Sequence, residues 1–303
     1  MAYMKKGCWL PDEDSEGLSY VDTFNDLAEV EADRYHLYVS LACPFAHRPL
    51  LVHSLLGLHD SISVSSVAPK RYEQGWAFDA EYPDPLSNKS HLQQIYTAAK
   101  PDYSGRITVP VLWDKKRQSI ASNDSAGIAQ WLAQEWQGMA ENSFDLLPED
   151  KLEEVNVLSE WIHNRVNLAV YSAGFATEQA AYDAAFDDVF QALDELEERL
   201  SAQRYLHGAN ITMSDVRLIP SLVRFDSVYY THFKLNKKRI QDYPNLWGYL
   251  LEMMQLPAIR QTVNLEHIKL HYFYAHNFIN PHRIVPKGPD IDWQQAHNRD
   301  RLS

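Results

Sequence analysis

Within a dozen residues the chain passes from the β-branched and aromatic run Tyr35-His36-Leu37-Tyr38-Val39-Ser40 into a helical pattern opened by Pro44, and Cys43 stands at the junction. The run reads as a strand. Proline at the first helical position loses nothing by lacking an N–H. A cysteine placed there faces a helix N-terminus, whose unpaired amides and dipole favour thiolate over thiol. His47 and Arg48 add positive charge nearby. The competing reading is a buried structural cysteine. A dithiol redox motif would need a second cysteine at position 46, which is Ala46, and the only other cysteine is Cys8. A mixed disulfide at Cys43 therefore needs an external thiol to resolve it, most simply glutathione.

From this junction the chain alternates. Strands are expected over 36–40, 62–67, 109–113 and 119–122, with a turn over 114–118. Helices are expected over 44–56, ending near Gly57, over 91–99 and over 124–136. Residues 69–91 form a polar-aromatic insertion. The order β-α-β-α-β-β-α is that of a thioredoxin-like fold. After the turn-rich stretch 137–150 the apolar period becomes helical. Leu152, Val155, Leu158 and Ile162 make one stripe, and Tyr182, Phe186, Val189, Phe190, Leu193, Leu196 and Leu200 another. Thr177 is the expected N-cap of the second, and Thr212 with Asp215 resembles a capping box. Further helices are expected over 213–230, 244–254 and 257–263. The resulting division is an N-terminal extension over 1–34, a thioredoxin-like glutathione-binding domain over 35–136, a linker over 137–150, an all-helical domain over 151–283 and a polar tail over 284–303.

A formal net charge of −13 argues against a nucleic-acid partner. Two cysteines in 303 residues argue for a reducing compartment. With no secretory signal pattern at the start and no apolar run of membrane-spanning length, a cytoplasmic protein without a membrane partner is expected.

Further motifs each carry two readings. Thr108-Val109-Pro110 precedes a strand. Val109 either offers its backbone to the cysteinyl unit of glutathione, beside a cis proline, or belongs to an ordinary edge strand. Asn123-Asp124-Ser125 opens a helix, where Ser125 can hold a γ-glutamyl carboxylate and Asp124 its amino group, or Asn123 or Asp124 simply caps the helix. Trp76 either covers a ligand or pins its loop, and pinning is favoured. His267 and His271 have i, i+4 spacing, but no zincin glutamate lies between them and no carboxylate or cysteine clearly completes a site with them or His276, so no metal is expected.

Taken together, these residues resemble the glutathionyl-hydroquinone reductases, the Xi class of glutathione transferases. The likeness runs from Arg34 to Asn280: through Arg34–Pro44, Gly75-Trp76-x-Phe78, Asp84-Pro85-Leu86 and Pro101–Lys115, then Val170–Thr177, Leu222-Val223-Arg224-Phe225-Asp226-x-Val228-Tyr229, His267-Ile268 and His271-Tyr272-Phe273. The resemblance implies a thioredoxin-like domain followed by an all-α domain, a homodimer, and glutathione-dependent reduction of S-glutathionyl-hydroquinones. It implies Cys43 as nucleophile, Tyr171 as proton donor, and Tyr229 and Tyr272 as tyrosines assisting the cysteine. It assigns glutathione binding to Trp76, Arg106, Ile107, Thr108, Val109, Asp124 and Ser125. The chain departs from the family in Phe45, where Trp is usual, in Asp124, where Glu is usual, and in a shorter N-terminal segment around Asp22-Thr23-Phe24. The alternatives are an omega-like thioltransferase or dehydroascorbate reductase, which would not need the three tyrosines, and a non-catalytic glutathione-fold ligand carrier.

Overall fold

The computed structural model describes residues 3–10 and 22–302, so residues 1–2 and 11–21 of the N-terminal extension and the last residue of the tail lie outside the described residues. The chain divides into two compact units, Met1–Asn142 and Ser143–Ser303.

The first unit contains β1 (Tyr3–Lys5), β2 (Cys8–Leu10), β3 (Tyr35–Val39), α1 (Pro44–Leu56), β4 (Ile62–Ser66), β5 (Arg71–Tyr72), β6 (Gly75–Trp76), α2 (Gln93–Ala99), β7 (Gly105–Arg106), β8 (Val111–Asp114), β9 (Ser119–Ser122) and α3 (Ser125–Glu135). Its main sheet has the order β4-β3-β8-β9. β3 runs parallel to β4, with Tyr35 opposite Ile62, and antiparallel to β8, with Tyr35 opposite Asp114. All five β3 residues are buried, as a central strand covered on both faces requires. α1 and α3 pack on each other and sink Leu51, Leu55, Ile128 and Leu132 into the core. α1 stops where Gly57 takes φ 68°, the left-handed cap that glycine adopts without a Cβ penalty. At the start of β3 the buried Arg34 guanidinium donates to Asp114 Oδ2 from Nε at 3.0 Å and from Nη2 at 2.7 Å. Asp114 also accepts the N–H groups of Lys116 and Arg117, so one carboxylate fixes both the strand pair and the β8–β9 turn.

The N-terminal extension, for which no strand is expected, contributes a second sheet, β2-β1-β7, with Tyr3 paired to Arg106. Strands of three residues are too short for alternation to register. The usable signal is the turn Lys6-Gly7, both residues at positive φ, as tight hairpins demand. Farther on, Asp22 accepts from Lys100 Nζ at 2.6 Å and from Ser104 N–H at 2.7 Å. Phe24 stacks on Tyr103 with centroids 5.6 Å apart. This segment thereby braces the loop leading into β7.

The second unit is helical: α4 (Leu152–Ile162), a π-helical turn (His163–Leu168), α5 (Ala169–Gly174), α6 (Gln179–Ala202), α7 (Met213–Arg224), a second π-helical segment (Phe225–Tyr229), α8 (Tyr230–His232), α9 (Pro244–Gln255), α10 (Pro257–Arg260) and α11 (Leu265–Ala275). The expected stripe of α6 buries Val189, Phe190, Leu193, Leu196 and Leu200. Its N-cap is Glu178, not Thr177. Glu178 holds the extended cap conformation, without a side-chain cap, and Thr177 lies one residue outside. At α7 the fully buried Asp215 accepts from the N–H and hydroxyl of Thr212, the N–H of Leu206 and the hydroxyl of Tyr249, a complete set of partners for a carboxylate away from water.

The stretch read as a polar tail is packed where Trp293 and Arg299 enter the unit. The Arg299 guanidinium donates to the carbonyls of Leu200, Gln203 and Arg204, each at 2.7 Å. It thus satisfies the carbonyls at the C-terminus of α6, where helices leave acceptors open and favour a cation. Among the described residues no helix is long and apolar enough to cross a membrane.

Candidate active site

Cys43 is the N-cap of α1, with φ −77° and ψ 119°, and Pro44 follows as the first helical residue. Its N–H donates to the Ser40 carbonyl at 3.0 Å, and its own carbonyl takes the N–H of His47 at 3.0 Å. The thiol is partly exposed. The Sγ lies 3.8 Å from the Val109 carbonyl, to which the S–H donates. Val109–Pro110 is a cis peptide bond, as the sequence suggested. Cys43 and Val109 are therefore neighbours although 66 residues separate them. His47 and Arg48 are buried, and the Arg48 guanidinium stands 4.7 Å from the centre of the Phe45 ring. The Phe45 ring thus meets a cation.

The loop carrying Arg106, Ile107, Thr108 and Val109 is held by a residue that sequence reasoning passed over. The hydroxyl of Tyr96, on α2, donates to the Thr108 carbonyl at 2.8 Å. The Tyr103 hydroxyl fixes the Arg106 carbonyl at 2.9 Å. Their only sequence signal is two tyrosines in a region already dense with aromatic side chains. Ile107 is buried and Thr108 half-buried. Trp76 lies on β6, 9% exposed, with the Arg71 guanidinium 6.0 Å from its ring centre. At the start of α3 the cap is Asp124, whose carboxylate accepts the N–H groups of Ala126 at 3.1 Å and Gly127 at 3.0 Å. Asn123 is engaged instead with Phe24 and Tyr96. Asp124 remains exposed and Ser125 half-exposed, so both can still meet a ligand.

In the second unit three distant tyrosines come together. The hydroxyls of Tyr171 and Tyr272 are 2.5 Å apart, and those of Tyr229 and Tyr272 are 3.3 Å apart. Tyr171 comes from α5, Tyr229 from the second π-helical segment and Tyr272 from α11. Gly174 lets the Phe233 ring lie directly against α5, where any Cβ would strike it. The Phe233 ring in turn stacks on that of Tyr229, 5.3 Å away and 4° from parallel. Tyr229 is fully buried, Tyr272 is 2% exposed, and Tyr171 alone of the three is partly exposed. Burial, reinforced by the two neighbouring phenols and opposed by the Arg224 guanidinium, pushes the Tyr272 hydroxyl well above its ordinary pKa. It therefore stays protonated at neutral pH. With one proton and two lone pairs, the Tyr272 hydroxyl can donate to one neighbour while accepting from the other.

A glutathione transferase N-terminal domain model matches residues 42–135, and a glutathione transferase C-terminal domain model matches residues 179–252. The protein named glutathionyl-hydroquinone reductase YqjG of Escherichia coli K12 is 48% identical over 274 residues, covering 89% of this chain and 84% of its own. The chain belongs to the glutathionyl-hydroquinone reductase family. Two solved structures agree with this family's fold. The Xi class glutathione transferase from Natrialba magadii superposes with a TM-score of 0.96 at 40% identity, covering 100% of this chain and 98% of that one. The glutathione-bound structure of YqjG superposes with a TM-score of 0.90 at 43% identity, covering 98% and 99%. Family members of this kind join a thioredoxin-like domain to a helical one, which is the pairing of units described above.

His267 and His271 are buried on α11, and His276 pairs with His232 at 3.2 Å. Among the described residues, potential ligand atoms do gather at Glu252, His297 and Asp300. There the Arg204 guanidinium already pairs with two of the three, 2.6 Å from Glu252 and 3.0 Å from Asp300.

Proposed function

We propose that this chain reduces S-glutathionyl-hydroquinones to hydroquinones with glutathione as co-substrate, through Cys43 and the tyrosine chain. The observation that carries the reading is the graded exposure of that chain. Its one accessible end is Tyr171, and behind it stand two buried hydroxyls in hydrogen-bond series. An acid at the open end of such a chain can give a proton to substrate. The phenolate left behind is then met by a donor already aimed at it.

The chemistry balances in two stages. Tyr171 protonates the aryl carbon that bears sulfur while the neighbouring ring hydroxyl gives up its proton, giving the keto tautomer. The Cys43 thiolate then attacks the substrate sulfur. The S–S bond forms, the C–S bond breaks, and its electron pair returns through the ring to oxygen, which takes back a proton as the hydroquinone leaves. A second glutathione, as thiolate, attacks the Cys43 mixed disulfide, releasing glutathione disulfide and the free cysteine.

The glutathione site is assigned to the domain over 35–136. Val109 offers its carbonyl to the thiol, Arg106, Ile107 and Thr108 form the same loop, Asp124 and Ser125 sit at the α3 N-terminus, and Trp76, on β6, is assigned to the same site on the family resemblance. The tyrosines belong to the helical domain over 151–283. Because an external thiol must restore Cys43, the protein is assigned to a reducing cytoplasm, and to a homodimer on the family resemblance.

Incubation with glutathionyl-menadiol plus glutathione tests the reading: menadiol and glutathione disulfide should appear in equal amounts. Reduction of simple glutathione mixed disulfides without menadiol release would instead favour the thioltransferase alternative. A Cys43–glutathione adduct without turnover on either substrate would favour the carrier.

A further inference from the structure

We propose that Asp226 is a positioning residue for the tyrosine chain, fixing the segment that carries Tyr229 by holding the Ile240–Asp242 turn against it. The inference rests on the role given above to the tyrosines.

Tyr229 ends a five-residue π-helical segment, Phe225–Tyr229. Such wide single turns are poor structures in isolation and persist where surroundings hold them. Asp226 lies three residues before Tyr229 and is 7% exposed. Its Oδ1 accepts the N–H of Ile240 at 2.6 Å and its Oδ2 that of Gln241 at 3.3 Å. These are the leading donors of the Ile240–Asp242 turn, which an isolated helical turn would leave unsatisfied. The bond closes residues 227–239 into a loop. Inside that loop the Tyr229 carbonyl accepts the N–H groups of Phe233 and Leu235, and the Phe233 ring stacks on Tyr229. One end of the loop thus grips Tyr229 and the other is tied to Asp226.

Stability alone is a poor explanation for a carboxylate here. Burial raises its pKa from 3.8 to about 6, against the opposing pull of the two N–H groups and of Arg239, and Asp242 adds to the rise. A folded pKa above the unfolded one means that this group's contribution to stability falls as pH rises through that interval. At neutral pH the ionised group therefore sits at some cost to the fold, while supplying two acceptor oxygens at once. Asparagine would supply one acceptor and turn an amide N–H toward the other donor. Arg239 is occupied with Asp242, at 2.7 Å and 3.2 Å, leaving the backbone donors to Asp226.

The test is a double-mutant cycle with Asp226→Asn and Tyr229→Phe, read on glutathionyl-menadiol and on the mixed disulfide of glutathione with 2-mercaptoethanol. Asp226→Asn should lower kcat for menadiol release by up to roughly tenfold, no more than loss of the Tyr229 hydrogen bond it acts through, with KM and mixed-disulfide turnover within about twofold. In the Tyr229→Phe background its effect should vanish, since it acts through that hydroxyl. An additive loss, an equal loss on both substrates, or no loss overturns the proposal while leaving Tyr229 in place. A Tyr229→Phe variant with full activity overturns the tyrosine reading first and this one with it. If Asp226→Asn does not fold, Gln241→Pro removes one donor from the other side of the contact and must show the same substrate-selective loss for the proposal to stand.

Discussion

Backbone places the proposed nucleophile in the first unit, and side-chain packing places the proposed proton chain in the second. Cys43 owes its setting to a strand end, a proline-opened helix and one carbonyl, that of Val109. Tyr171, Tyr229 and Tyr272 share hydroxyl contacts only because α5, a π-helical segment and α11 converge. The first arrangement is built on main-chain groups, with the Val109 loop held in turn by the Tyr96 and Tyr103 hydroxyls. The second depends on shapes far from the hydroxyls, such as Gly174 admitting the Phe233 ring. The thiol should therefore tolerate neighbours and not replacement, while the phenols should be sensitive to both.

Replacing the thiol should give the largest effect. Cys43→Ser and Cys43→Ala should each cut hydroquinone release by at least on the order of 10³-fold, because no other group supplies the sulfur nucleophile. Thermal midpoints should stay close to wild type. Cys8→Ser, on the exposed strand β2, should retain most activity. Comparable losses at both cysteines would mean that Cys8 resolves the disulfide, which would end the monothiol scheme.

Tyr171→Phe comes next. Removing a general acid costs on the order of 10²-fold, and that loss should fall on glutathionyl-menadiol. A simple mixed disulfide has a thiolate leaving group that needs little protonation, so its turnover should hardly change. Equal loss on both substrates would mark Tyr171 as a packing residue. Tyr229→Phe should be milder, within roughly tenfold, since a single neutral hydrogen bond contributes about 0.5–1.5 kcal/mol. A larger loss from Tyr229→Phe than from Tyr171→Phe would reverse the order of the chain and make the buried end the acid.

The same contrast sets what could be read from the sequence. The helix Pro44–Leu56, its Gly57 stop, the strand Ser119–Ser122 and the Thr212–Asp215 cap were all legible, because each is specified by neighbours in the chain. The tyrosine chain was legible only through family resemblance, since nothing local distinguishes Tyr171 from the other sixteen tyrosines. The two π-helical segments left no mark, for one extra residue in a turn changes no periodic pattern over so short a span. Arg299 was hidden in polar sequence, its role visible only once the end of α6 lies beside it. Asp226 was quoted within a motif but carried no role until its contact with Ile240 was seen.

The smallest effect is the most discriminating for the first unit. Asp124 caps α3 and is also assigned to the γ-glutamyl amine of glutathione, and the two roles separate by substitution. Asparagine caps a helix about as well as aspartate, so Asp124→Asn should leave the thermal midpoint unchanged. It removes the charge that an ammonium group would meet, and at an exposed position that loss is about 1 kcal/mol or less. The KM for glutathione should then rise by no more than roughly fivefold, with kcat preserved. Asp124→Ala removes both functions, so it should show the same rise in KM together with about 1 kcal/mol of lost stability. An unchanged KM in Asp124→Asn would leave Asp124 as a helix cap alone. Glutathione would then depend at this end on Ser125 and the open amides of α3, and the thiol site would be even more purely a product of backbone.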